Sequence, residues 1–216
     1  MVVLMSDPSV AAIPVRECGE ALAEVRADGP LLLDERKRRD SDGAFVHLRE
    51  GVLDRLIAAQ AALPEGRRLL FIEGYHPPEL QRRYFDHYCA RLRAEHPAWS
   101  KEALRSAASR YVSPPEIAPH CAGAALDVTL ADRHGHELDL GTRVNATPEE
   151  SEGGCYTAAP NIPPAARSLR DCLGAALTGA GLVNYPTEWW HWSYGDRYWA
   201  LMTGAPAARY GPVEPG

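Results

Sequence analysis

Two short stretches carry the side chains best suited to chemistry. Pro186-Thr187-Glu188-Trp189-Trp190-His191-Trp192 places a carboxylate three residues before an imidazole, inside a block of three tryptophans that excludes water from one side of the pair. Upstream, Pro119-His120-Cys121-Ala122-Gly123-Ala124-Ala125-Leu126-Asp127 separates a histidine from an aspartate by six small or apolar residues. Two imidazoles and one carboxylate make a three-ligand zinc set with the fourth position open to water. Glu188 is then the additional carboxylate that a hydrolytic centre uses to move a proton. A tryptophan-rich core strand that begins with Glu and contains one His has the same local composition, so the upstream pair is what separates the two readings.

Positioning these groups constrains the elements around them. From Ala124 to Ala131 the sequence alternates, with Ala125, Asp127 and Thr129 on one face and Leu126, Val128 and Leu130 on the other, which predicts a strand whose Asp127 faces away from the apolar layer. A regular strand would send Glu188 and His191 to opposite faces. Glu188 must therefore sit in the turn at Pro186-Thr187, ahead of a strand over 189–194. The continuous apolar run at 68–73 predicts a covered strand, ended by Gly74 and the Pro77-Pro78 pair. Further strands are expected at 182–185 and, after a hairpin turn at Asp132-Arg133-His134-Gly135, at 136–140, while Leu31-Leu32-Leu33 is at most a short strand. Apolar residues at helical spacing predict helices over 14–28, 49–63, 79–95, from a Ser100 cap to about Tyr111, and over 165–180. The long Gly141 to Pro163 segment reads as a lid or rim, and the Pro/Gly/Ala-rich tail from 205 to 216 as loosely attached. The expected fold is α+β, a single domain over 1–204. Its small, mainly antiparallel sheet is built from the runs at 68–73, 125–131, 136–140, 182–185 and 189–194, with helices on one side and the metal on the open face.

At 216 residues and 45% hydrophobic content the chain is large enough to bury a full core. A net charge of -6, and no basic run beyond Arg36-Lys37-Arg38-Arg39, argue against nucleic acid as a partner. That run reads as a solvated loop. The sequence has neither a signal-like start nor a run long enough to span a membrane, so the expectation is a cytoplasmic protein that does not engage a membrane. Five cysteines, at 18, 89, 121, 155 and 172, lack any C-x-x-C pair and read as reduced thiols. Cys121 beside His120 offers a nucleophile in principle, but that imidazole is then committed to the metal. His134 and His136 read as a solvated hairpin tip.

His120-x-x-Gly123-x-Ala125-x-Asp127, followed about sixty residues later by Glu188-Trp189-Trp190-His191, resembles the zinc D-alanyl-D-alanine dipeptidases of the kind that confer vancomycin resistance, within the broader DD-peptidase/Hedgehog-like fold. The resemblance also takes in Gly74-Tyr75-x-Pro77 and Gly141-Thr142-Arg143, and so covers roughly residues 45 to 195. It implies one zinc per chain on His120, Asp127 and His191, and Glu188 as general base. The implied substrate is a small molecule or short peptide, contacted by Tyr75, Asn145, Trp189 and Trp190. Three positions depart from the family pattern. His76 stands where the family has an arginine that holds the scissile carbonyl, and as the catalytic residue at that position it offers a weaker, pH-dependent donor. Ala118 replaces a serine, and Asn145 an aspartate that binds the substrate's free amine. The resemblance thus implies an amide hydrolase of altered specificity. Its alternatives are another zinc-assisted reaction on a small amide-containing metabolite and, as in Hedgehog signalling domains, a zinc-bearing binding protein. Retention of Glu188 favours the enzyme.

Overall fold

The computed structural model describes residues 2–34 and 43–213, so the Arg36-Lys37-Arg38-Arg39 run lies outside the described residues. A single turn, α1 (Pro8–Ala11), is followed by β1 (Leu22–Glu24) and β2 (Leu32–Leu33). Then come β3 (His47–Arg49), α2 (Glu50–Ala62), β4 (Arg67–Glu73), α3 (Pro78–Glu95) and α4 (Lys101–Ala108). A 3-10 turn over Pro119–Ala122 leads into β5 (Ala125–Asp132), and the chain ends through α5 (Pro164–Gly179), β6 (Val183–Asn184), β7 (His191–Ser193) and α6 (Arg197–Thr203). No helix among the described residues is long and apolar enough to cross a membrane.

Five strands form the main sheet in the order β2-β4-β5-β7-β6, antiparallel except for the β2/β4 pair, and β1 and β3 form a separate two-stranded sheet. Alternation along β5 decides the layers. Leu126, Val128 and Leu130 join Leu69 and Phe71 of β4, Val52 and Leu56 of α2 and Leu173 and Leu177 of α5 in the main core. The opposite face carries Asp127. Helices are expected on one side of the sheet only; α2 and α5 do pack there, but α3 and α4 form a pair with their own apolar cluster, and α3 walls the cavity that holds Asp127.

Three expectations from the sequence are overturned. The segment 14–28 is not a helix: Gly19 turns the chain at φ 78°, and the carboxylates of Glu17 and Glu20 accept from Gly211 N and Gly51 N, drawing the segment onto the start of α2 and the C-terminal segment. Helical spacing yields to these tertiary bonds. The run 136–140 forms only an isolated bridge, Glu137 with Ala131, because Gly141 at φ 93° turns the chain away; β2 supplies the fifth strand instead. Nor is the tail loose as far as Val213. Ala208 and Tyr210 are buried, Val213 N donates to Cys121 O at 2.8 Å, and Arg49 Nη2 donates to Gly211 O at 3.1 Å. Helix α6, capped by Asp196 through Tyr198 N and Trp199 N, was not foreseen, although an Asp ahead of an apolar run is a helix-start signal.

One glycine is demanded by this packing. Gly123 lies at φ 63°, and a Cβ there would overlap Leu22 Cδ2 and approach Arg49 N at 3.3 Å. Gly123→Ala is expected to lower the unfolding free energy by at least about 1 kcal/mol in urea titrations. Unchanged stability would show that this turn relaxes without loss.

Candidate active site

One row of the sheet builds the centre. Across β4, β5 and β7 the register pairs Glu73 with Asp127 and Asp127 with His191, and an irregularity between Phe71 and Glu73 brings Glu73 into that row. His120 enters from the 3-10 turn that precedes β5. Its Nδ1 donates to Gly74 O at 2.5 Å, which leaves the Nε2 lone pair pointing at the row. Three donor atoms then converge. His120 Nε2 lies 3.1 Å from His191 Nδ1, His191 Nδ1 lies 3.2 Å from Asp127 Oδ1, and His120 Nε2 lies 3.5 Å from Asp127 Oδ1. A tetrahedral ion with bonds of about 2.0–2.2 Å needs donors roughly 3.3 Å apart, so these residues fit zinc.

Glu188 flanks this set. As expected, it sits in the turn before β7, with its N–H donating to Tyr185 O at 2.9 Å, and its Oε2 lies 3.8 Å from His191 Nδ1. All four side chains are buried. Burial, followed by repulsion from Asp127 and Glu73, pushes the Glu188 carboxyl well above its usual range. Burial also opposes charge on Asp127, but hydrogen bonds and attraction from both imidazoles outweigh it and hold that carboxyl well below the usual range. His120 is lowered by burial and raised by Asp127, with a net upward shift; for His191 burial prevails and the shift is downward. A divalent cation among these groups would favour the charged form of the Glu188 carboxylate.

The centre opens into a cavity of about 450 Å³. Its walls include Gln81, Tyr84, Tyr88 and Arg91 of α3, Tyr111 beyond α4, and Arg143, Asn145, Thr147 and Glu150 from the long loop, which is therefore a rim. Arg143 donates to Glu150 Oε2 at 2.7 Å and to Asn145 O at 2.7 Å, and Tyr111 donates to the same carbonyl at 3.2 Å. Asn145 itself takes the left-handed φ of 61°. Buried Arg170 of α5 holds the rim from behind, donating to Leu140 O, Tyr156 O and Gly154 O at 2.7, 2.8 and 2.9 Å.

Several residues expected at the cavity are elsewhere. Trp189 and Trp190 belong to the main core, with Trp189 Nε1 donating to Thr142 Oγ1 at 2.8 Å, and neither lines the cavity. Their large apolar area is better satisfied in the core than at a wet wall. Tyr75 is buried against the C-terminal segment, where its hydroxyl donates to Val213 O at 2.9 Å. His76 does line the cavity, yet it presents no donor to it. Gln81 Nε2 donates to Ser113 O, so Gln81 Oε1 accepts from His76 Nδ1 at 3.1 Å, while His76 Nε2 is buried 3.4 Å from Glu73 Oε1. The ring stacks on His120 at 4.5 Å and so supports it. Cys121 is buried, which pushes its thiol up to about 12 and removes it as a nucleophile at neutral pH. Glu73 is the neighbour that sequence reasoning passed over. A carboxylate ending an apolar strand was the available signal.

Comparison with known proteins shows the family. The profile of the D-ala-D-ala dipeptidase family matches residues 37–204. A D-alanyl-D-alanine dipeptidase of Synechocystis sp. is 29% identical, covering 94% of this chain and 96% of the relative. The D-alanyl-D-alanine dipeptidase of Escherichia coli is 42% identical over a shorter stretch, 33% of this chain and 35% of that one. Among solved structures, the LdcB LD-carboxypeptidase is similar at 18% identity and a TM-score of 0.45, covering 89% of this chain and 76% of that one. With most of its length matched by the family profile, the chain belongs to the D-ala-D-ala dipeptidase family of metallopeptidase-like hydrolases.

Proposed function

We propose that the protein is a zinc-dependent amide hydrolase in which His120, Asp127 and His191 hold one zinc ion and Glu188 is the general base. The observation that carries this reading is the convergence of three donor atoms, 3.1–3.5 Å apart, beside a buried carboxylate that is not one of them. Zinc held there supplies a Lewis acid that polarises a scissile carbonyl and lets water ionise near neutral pH. The His120 Nδ1 bond to Gly74 O orients that imidazole. Glu188 takes a proton from the attacking water as the carbon-oxygen bond forms. It returns that proton to the amide nitrogen as the carbon-nitrogen bond breaks, releasing a carboxylic acid and an amine.

The substrate proposed is a D-Ala-D-Ala-like unit whose amino side is acylated, modified or part of a larger molecule. Two features support this. Asn145 contributes no fixed negative charge to pair with a free α-ammonium, and two alanine residues are small against a cavity of about 450 Å³. His76, whose nitrogens face Gln81 and Glu73, acts by supporting His120. Stabilisation of the developing oxyanion then falls mainly to the metal.

Metal analysis of the purified, zinc-loaded protein should return one equivalent, with none retained by His120→Ala or His191→Ala; full retention by both would refute the ligand set. Glu188→Gln should keep its zinc and lose roughly 10²–10⁴-fold in kcat. Loss of the metal with the activity would instead make Glu188 a ligand. In competition between D-Ala-D-Ala and N-acetyl-D-Ala-D-Ala, the acylated compound should be preferred, and Asn145→Asp, which tolerates the same backbone angles, should shift preference toward the free dipeptide. A parent enzyme that prefers the free dipeptide, with no shift in the variant, would restore the plain dipeptidase reading.

A further inference from the structure

The turn that carries Glu188 is held by a side chain from outside the cavity. Asn184, the last residue of β6, donates through Nδ2 to Glu188 O at 3.1 Å and to His191 O at 3.0 Å. One carboxamide therefore spans the general base and the third ligand. Its orientation is set from the rim loop, because Thr157 Oγ1 donates to Asn184 Oδ1 at 2.5 Å and so leaves Nδ2 facing the two carbonyls. The same threonine's N–H donates to Pro186 O at 3.0 Å. Asn184 is not among the residues lining the cavity.

The need for such a brace follows from the spacing. Residues three apart on a strand point to opposite faces, so Glu188 and His191 reach one centre only because the chain turns at Tyr185 to Glu188 before β7 starts. That turn lies outside the β6/β7 ladder, whose pairs are Val183 with Ser193 and Asn184 with Trp192. Backbone bonds close the turn, with Tyr185 N donating to His191 O at 3.0 Å and His191 N to Glu188 O at 3.1 Å, and Asn184 adds a second donor to each of those two carbonyls, tying both ends of the Glu188 to His191 segment to the last paired residue of β6.

We propose that Asn184 is a positioning residue: it sets the Glu188 carboxylate relative to His191 and, through that, the rate of proton transfer. Thr157 acts one step behind it by orienting the amide. This rests on the reading of Glu188 as general base. A misplacement of about 1 Å in a reacting group lowers rate by roughly 10²-fold, whereas Asn184 bonds none of the cavity walls supplied by α3 or by the Arg143 to Glu150 stretch.

The test is a double-mutant cycle on zinc-loaded protein, with hydrolysis of N-acetyl-D-Ala-D-Ala or D-Ala-D-Ala, whichever turns over faster, as the readout. Asn184→Ala should lower kcat by roughly 10- to 100-fold per folded molecule, with KM and zinc content unchanged. In the Glu188→Gln background the same substitution should change kcat by less than about two-fold, since the group it positions is already disabled. Thr157→Val should reduce kcat by about five-fold, the effect of one hydrogen bond, and carries the same cycle if Asn184→Ala does not fold. An equal fractional loss in both backgrounds, a kcat within about two-fold of the parent for both variants, or a loss confined to zinc content overturns the proposal. Failure of the base assignment shows separately, as full activity of Glu188→Gln alone.

Discussion

Everything at the centre depends on a carboxylate buried between two imidazoles. Asp127 is only 4% exposed, and an isolated charge at that depth would be strongly unfavourable. It is stabilised because β5 and β7 pair with Asp127 opposite His191, and because His120 reaches the same oxygen from the turn before β5. A one-residue slip in either ladder would turn Asp127 into the Leu126, Val128 and Leu130 layer and disperse the set. The core is thus what fixes the chemistry: the apolar face of β5 holds the register, and the register places the polar face.

Around that row the fold supplies braces rather than further reactive groups. Gly74 gives its carbonyl to His120, and His76 stacks on the same ring while its Nδ1 is bonded to Gln81 and its Nε2 faces Glu73 at 3.4 Å. Behind the cavity, Arg170 gathers three carbonyls of the rim and lies over Trp189 at 5.2 Å, next in sequence to Glu188. Burial lowers its guanidinium to about 10, still charged at neutral pH. The N-terminal segment contributes too, since Met5 N donates to the hydroxyl of Tyr185, whose ring meets His191 edge-on at 6.0 Å.

What the sequence made legible was what local geometry determines. Period-two alternation put Asp127 on the polar face of β5, and the parity of Glu188 and His191 required a turn between Tyr185 and the next strand. Illegible features were those determined by distant partners. Glu17 and Glu20 bind groups at Gly211 and Gly51, which no helical periodicity reveals, and the tail looks loose by composition until Tyr210 meets Glu20 at 2.6 Å. Trp189 and Trp190 mislead for a related reason: a motif fixes which residues are near the metal in sequence but not which way each side chain points, and theirs point into the core.

Anomalous diffraction at the zinc edge from crystals of the zinc-loaded protein tests the central claim most directly. The account predicts a single site bonded at about 2.0–2.2 Å to His120 Nε2, His191 Nδ1 and one Asp127 oxygen, with the Glu188 carboxylate nearby and unbound. A metal bonded to Glu188, a site formed by Glu73 and His76, or coordination through His191 Nε2 would contradict it.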